Sequence, residues 1–213
     1  MVQILERFSD RRSSEQSPIS TAAETTTRET FQALMWALSY PGKSYGLPLA
    51  HSVQDDHRQT SQPLQPFVAI AQTLLDLEVS YFTPVSDLDP YLTQTLAQPA
   101  TVDKADYHFY PYRNFLDDPA HLQFVAEAKV GTLLYPDQSA TVILACRIGS
   151  GQRLCLSGPG IHTTTELMVD GIPAAFWSLR AARIYYPLGI DLLLVDGPQI
   201  VGMPRTTVIE WQE

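Results

Sequence analysis

The sequence predicts one α/β domain in which helices cover a layered sheet. Segments with helical spacing of apolar residues alternate with short apolar runs typical of strands. The chain of 213 residues is 45% hydrophobic, which is enough for a substantial core. Residues 1–23 are rich in Ser, Gln, Arg and Glu and are expected to form a mobile leader. The single domain is therefore predicted to span residues 24–213.

The helices are predicted from apolar periodicity and from end signals such as an acid before proline or a closing glycine. A first helix carries Phe31, Leu34, Met35 and Leu38 on its inner face and must end before Pro41-Gly42. Further helices are expected at 64–75, after Asp89-Pro90, from Asp118-Pro119 to near Gly131, and at 173–183.

The strands include one around Val79 to Phe82 and a buried hairpin near the C-terminus. The hairpin joins Ile190–Val195 to Gln199–Met203 through a turn at Asp196-Gly197-Pro198, and Pro204 should end it because proline cannot donate to a ladder.

A second hairpin is predicted in "TVILACRIGSGQRLCLSG", with its turn at Ser150-Gly151. That register places Cys146 directly opposite Cys155, at a distance that a disulfide can bridge. In a reducing cytosol we expect two free thiols.

The charge of the chain excludes several functions. Its net charge is −9 and its pI near 4.9, so it should repel nucleic acid. No apolar run is long enough for a membrane span, and the N-terminal stretch lacks the pattern of a secretory signal. We expect a cytoplasmic protein that binds neither nucleic acid nor membrane.

Metal and cofactor signatures are weak. The densest group of potential ligands, His51, Asp55, Asp56 and His57, lies in a polar loop without the spacing of a metal site. Pyridoxal phosphate needs a lysine, and Lys43, Lys104 and Lys129 all lie where surface lysines are usual. The sequence therefore predicts no metal, no pyridoxal phosphate and, with two cysteines, no iron–sulfur cluster.

Two loops are candidates for an anion site or a subunit interface. Gly158 and Gly160 flank Pro159, so this turn could expose its amides to an anion or could be only a turn. Arg205, Thr206 and Thr207 could hold a phosphate, yet Arg205 could equally pair with a carboxylate such as Asp191 or Glu210. No residue is identified as catalytic.

Four separated stretches carry a family resemblance that covers the chain from about residue 27 to its end. They are "FQALMWALSYPG" (31–42), "GTLLYPDQSAT" (131–141), "LSGPGI" (156–161) and "YPLGIDLLLVDGPQIVGMPRTTVIE" (186–210). In this order they resemble the PhnH subunit family of bacterial carbon–phosphorus lyase.

The resemblance implies a subunit of a phosphonate-degrading complex that is inactive alone. The complex of that family displaces adenine from ATP with a phosphonate, giving ribose 1-phosphonate 5-triphosphate, and another subunit carries the iron–sulfur chemistry. The resemblance also implies a fold like that of pyridoxal-phosphate transferases without the cofactor, partner subunits of the complex, and a homodimer when isolated. A direct phosphate- or phosphonate-binding module and an independent enzyme on the same fold are the alternatives.

Overall fold

A computed structural model describes residues 21–49 and 63–211. Five α-helices and one short 3-10 helix are found there. They are α1 (Ala22–Ser39), α2 (Gln65–Leu74), α3 (Asp89–Leu92), α4 (Pro119–Glu127) and α5 (Ala174–Arg183), with the 3-10 turn at Phe115–Asp117.

The strands of the same residues form two sheets. They are β1 (Ser44–Gly46), β2 (Ser80–Phe82), β3 (Gln98–Pro99), β4 (Tyr107–Tyr110), β5 (Thr141–Ala145), β6 (Arg147–Ser157), β7 (Thr165–Asp170), β8 (Asp191–Asp196), β9 (Gln199–Met203) and β10 (Val208–Trp211). The larger sheet has the order β1-β9-β8-β5-β4-β2-β3, and the smaller one is β10-β6-β7. Strands β3, β2, β4, β5 and β8 run parallel, β9 is antiparallel to β8, and β1 is antiparallel to β9. The predicted α/β class is confirmed as a mixed sheet with helices.

The central strands β5 and β8 bury both of their faces. Val142 and Leu192 belong to one hydrophobic cluster, while their chain neighbours Ile143 and Leu193 belong to the other. The first cluster contains buried residues of α4, α5 and the smaller sheet, and the second contains those of α1, α2 and α3. Successive strand residues point to opposite sides, so the larger sheet is the middle layer of three.

Helix α1 ends at Ser39, as predicted before Pro41, but its inner face was predicted incorrectly in part. Phe31 and Met35 are 54% and 45% exposed, whereas Ala37 is buried against β9. The contact with β9 is so close that a Cβ on Gly202 would lie 2.6 Å from the Ala37 carbonyl oxygen. Ala37 therefore faces the sheet and Phe31 and Met35 are left outside, whereas Leu34 is buried as predicted.

Two helix starts differ from the predictions, and others agree. The side chain of Thr21 caps α1, so this helix begins at Ala22 within the predicted leader, whose residues 1–20 lie outside the described part. Asp118 caps α4 by accepting a hydrogen bond from the Ala120 amide at 2.8 Å. Asp89, predicted to cap, is instead the first residue inside α3, after Leu88. Helices α2 and α5 lie where the sequence predicts them.

The C-terminal hairpin is confirmed. Strands β8 and β9 pair with Asp196 opposite Gln199, and β9 ends at Met203 immediately before Pro204. The strand predicted around Val79 is also present as β2.

The prediction of a hairpin that pairs Cys146 with Cys155 is wrong. Ser150-Gly151 makes no turn between two strands but lies at an irregularity inside the single long strand β6, which pairs with β7 and β10. Cys155 lies opposite Glu166 and Glu210, and Cys146 instead donates its amide to the Val195 carbonyl. Both cysteines are free thiols, and burial raises the pKa of Cys146 to about 12. The two β6 glycines at positive φ absorb the irregularity that the sequence presents as a turn.

His108 is a buried neutral group within β4. Its Nδ1 lies 3.2 Å from the Tyr110 hydroxyl, with which it shares a hydrogen bond, and its ring lies 5.5 Å from that of Phe82. The pKa of His108 is lowered to about 4, mainly by burial and also by the charge of Lys129, while a backbone hydrogen bond with Ala105 and the charge of Asp106 oppose the shift. The side chain is therefore part of the core.

Replacing His108 by phenylalanine is expected to flatten the pH dependence of stability. The unfolded chain takes up this proton near the ordinary pKa of 6.5, but the folded chain takes it up only near 4. The stabilisation is fully present above pH 6.5 and is lost as the pH falls toward 4. The loss should reach about 3 kcal/mol, because one pKa unit corresponds to about 1.4 kcal/mol.

Urea unfolding of wild type and His108→Phe at several pH values measures the difference. Burial raises the pKa of Asp106, but hydrogen bonds from Lys129 and Ser80 bring it below its usual value, so this carboxylate also loses stabilisation in acid. The Asp106 carboxylate is present in both proteins, so its contribution cancels in the difference between their free energies of unfolding. The exposed His162→Gln variant is the control and should keep the wild-type slope. If the free energy of unfolding changed equally with pH in the wild type and in His108→Phe, His108 would not be the source of the loss of stability in acid.

Candidate functional site

The Arg205 side chain is held by Asp191 at the start of β8. Its Nε and Nη2 donate to the two carboxylate oxygens at 3.2 and 2.6 Å, and its own backbone amide donates to Oδ1 at 2.7 Å. Nη1 donates to the carbonyl of Pro136, in the loop that follows Gly131. The pair is mostly buried, at 17% and 19% side-chain exposure, so this guanidinium joins three chain segments.

The two candidate loops touch each other. A Cβ on Gly158 would lie 2.7 Å from the Thr206 carbonyl oxygen, and one on Gly160 would lie 2.5 Å from the Ser39 carbonyl oxygen. Both glycines have positive φ, and the turn is closed by the Ile161 amide donating to the Gly158 carbonyl at 3.1 Å. Glycine is required here because the turn is wedged between the end of α1 and the loop at Thr206.

Arg180 of α5 holds the loop from its other side. Its Nη2 donates to the Pro204 carbonyl at 2.9 Å and its Nη1 to the Thr207 carbonyl at 3.2 Å. Those residues close a turn, since the Thr207 amide donates to the Pro204 carbonyl at 2.9 Å. Burial lowers the pKa of Arg180 to about 10, which leaves it positively charged at neutral pH.

A cavity of about 470 Å³ lies between α5 and β10 and reaches both candidate loops. Its lining is mainly apolar and includes two of the three tryptophans of the chain. The lining residues are Pro159, Trp177, Arg180, Ala181, Ile184, Tyr186, Arg205, Thr206, Thr207, Val208, Ile209 and Trp211.

Arg180 and Trp177 are functional candidates that the sequence analysis missed. Arg180 is only 3% exposed and follows Trp177 by three positions, which places both on the buried face of α5. The sequence signal that could have identified Arg180 is its position on the apolar face of an amphipathic helix. Arginine is almost never fully buried unless its charged group has partners.

The predicted residues gather only in part. Gly158, Asp191, Arg205, Thr206 and Thr207 lie around the loop after β9, with Gly160 facing α1. Glu210, the other carboxylate considered for Arg205, lies on β10 opposite Cys155. His51, Asp55, Asp56 and His57 lie outside the described residues, and those that are described contain no metal-binding group of three or more acids, histidines or cysteines.

The described lining of the cavity contains no carboxylate and no histidine. Its titratable side chains are the guanidinium groups of Arg180 and Arg205 and the phenol of Tyr186. Within the same described part of the chain, no helix is long and apolar enough to cross a membrane.

Comparison with known proteins identifies the family. The profile described as "Bacterial phosphonate metabolism protein (PhnH)" matches residues 20–210. A Stutzerimonas stutzeri protein named as C-P lyase subunit HtxG is 31% identical over 182 residues, which cover 84% of this chain and 83% of that protein. The alpha-D-ribose 1-methylphosphonate 5-triphosphate synthase subunit PhnH of Rhizobium meliloti (strain 1021) is 32% identical over 149 residues, 67% of this chain and 72% of that protein. The chain therefore belongs to the PhnH family of bacterial phosphonate metabolism proteins.

Proposed function

We propose that the chain is a subunit of a carbon–phosphorus lyase complex and supports the displacement of adenine from ATP by a phosphonate. The family match over residues 20–210 carries this proposal, since two relatives that align with most of the chain are named as subunits. The subunit works in the cytoplasm with the other subunits of the complex and forms a homodimer when isolated.

The contacts of Arg205 support an architectural role for the loop of Arg205, Thr206 and Thr207 after β9. Its Nε, Nη1 and Nη2 are already used by Asp191 and the Pro136 carbonyl, so a phosphate would have to compete with a bidentate carboxylate. The glycine turn likewise fills the space beside Thr206. Both loops therefore shape the surface that a partner subunit meets.

The same proposal includes a fold related to pyridoxal-phosphate transferases but no use of that cofactor or of an iron–sulfur cluster. Lys129 is held by Asp106 at 2.5 Å, and Lys43 lies 5.1 Å from the centre of the Tyr40 ring. None of the three lysines is among the described residues that line the apolar cavity, where a planar cofactor would find its walls.

After incubation with pyridoxal phosphate and removal of the unbound cofactor by dialysis, the purified chain should be colourless. We expect its visible spectrum after dialysis to show no aldimine band, because a Schiff base needs a desolvated lysine near the cofactor. A stoichiometric band that disappears in Lys129→Arg would contradict this prediction.

Purification from the native cell tests the assembly role directly. A tag on this chain should bring down its untagged neighbouring phosphonate-metabolism subunits in stoichiometric amounts. Light scattering should give the mass of two chains for the isolated subunit and a larger mass for the captured material. Recovery of the chain alone from cells grown on a phosphonate would reject the proposal.

Arg205→Ala should destabilise the subunit without removing any affinity for a small anion. Loss of a charge-assisted hydrogen bond costs about 1.5 to 3 kcal/mol, and Asp191 would lose its partner in a mostly buried position. Urea unfolding measures this cost. Arg153→Ala is the matched control, because the pair of Arg153 with Glu166 is 62% and 57% exposed and is screened by solvent, so this variant should be destabilised much less than Arg205→Ala.

Calorimetry with methylphosphonate and inorganic phosphate completes the test of Arg205. Neither anion should give a binding heat with wild type or variant. A clear heat with the wild type that is absent in Arg205→Ala would show that this arginine grips a phosphate and would reject its architectural role.

A further inference from the structure

We propose that the cavity between α5 and β10 is a binding site for a small organic anion with a flat apolar body. Its volume of about 470 Å³ lies within the range of about 300 to 1,000 Å³ typical of small-molecule sites. The proposal does not depend on the assembly role, since it concerns binding by the isolated chain.

The walls of the cavity select the body of the ligand. Trp177 and Trp211 contribute indole rings, Tyr186 contributes a phenol ring, and Ile184 and Ile209 complete an apolar lining. Aromatic side chains offer flat surfaces on which a planar group can stack. A small inorganic ion would contact mostly hydrocarbon here and would leave most of the volume unfilled.

The charge at the cavity selects an anion. Arg180 and Arg205 both line it, and the carboxylate paired with Arg205 is that of Asp191. Within the described residues, Arg180 makes no salt bridge, and its two hydrogen bonds go to neutral carbonyl oxygens. Two guanidinium groups and one carboxylate leave one positive charge beside an apolar wall, where a low dielectric strengthens its attraction for an anion.

Unused hydrogen-bonding groups of the lining support the same conclusion. Trp177 Nε1, Arg180 Nε and the Thr207 hydroxyl have no hydrogen-bond partner among the described residues. All three belong to side chains that line the cavity, and each side chain is at most 3% exposed. Two of these groups can only donate, so they favour an anionic over a cationic ligand, and because the atoms themselves are buried, a side-chain shift must accompany any direct hydrogen bond.

Phenylphosphonate is the probe, because it joins a flat apolar ring to an anionic head. The full chain carrying Trp36→Phe retains only Trp177 and Trp211 as tryptophans, and both line the cavity. We expect a saturable change in tryptophan fluorescence on titration. Methylphosphonate, which lacks the ring, and benzyl alcohol, which lacks the charge, should each bind at least about tenfold more weakly, a difference of about 1.4 kcal/mol. Added salt should weaken phenylphosphonate binding but not benzyl alcohol binding.

A steric variant locates the site. Ala181→Leu places a larger side chain in part of the cavity and should weaken binding of phenylphosphonate at least about tenfold, again about 1.4 kcal/mol. Ala182→Leu is the matched control, since Ala182 is also exposed on α5 but does not line the cavity, and it should bind like the wild type. Both variants keep the contacts of Arg180, and circular dichroism checks their folding.

Three results would each overturn the proposal. They are no saturable change with the Trp36→Phe protein, equal binding of phenylphosphonate and benzyl alcohol, and undiminished binding to a folded Ala181→Leu protein. None of these outcomes bears on whether partner subunits co-purify, so the two proposals can fail separately.

Discussion

The burial of β5 and β8 on both faces is the constraint on which the rest of the structure depends. A strand with apolar side chains on both sides needs a covering layer on each. Helices α1 to α3 cover one face, and α4, α5 and the smaller sheet cover the other. The ends of β8 are the first places where polar groups can return, and Asp191 occupies the first of them. The carboxylate is still mostly buried there, so it needs a cation, and Arg205 supplies it.

The loop after β9 is therefore fixed from two sides by arginines with different partners. Arg205 is neutralised by a carboxylate, whereas Arg180 is satisfied by the carbonyls of Pro204 and Thr207. Carbonyl groups meet the hydrogen-bonding needs of a guanidinium but leave its charge in place. The charge of Arg205 is therefore neutralised within the fold, whereas that of Arg180 remains beside the neighbouring cavity.

Much of the fold could be predicted from local patterns, because strong periodicity and turn residues act over short distances. The β8–β9 hairpin and its end at Pro204 follow from an apolar run, a Gly-Pro turn and a missing amide donor. The inner face of α1 was harder, since close packing on β9 favours Ala37 over the larger Phe31. The prediction of a turn at Ser150-Gly151 failed because glycine occurs both in tight turns and at irregularities within strands. Only the pairing of β6 with β7 distinguishes the two cases. The motif around Arg205 was visible in the sequence, but its Asp191 partner was one of two possibilities.

The cavity could not be predicted from the sequence, for a different physical reason. Its walls come from α5 and from β10, which are separated by the whole β8–β9 hairpin, so no local spacing relates Trp177 to Trp211. The net charge at the cavity is the sum over Arg180, Arg205 and Asp191, which only the fold brings together. An acidic chain of net charge −9 can hold a locally positive site because the Asp191 carboxylate is already committed to Arg205. The architectural ion pair and the free charge of Arg180 thus belong to one arrangement, in which neutralising the first arginine leaves the second to attract an anion.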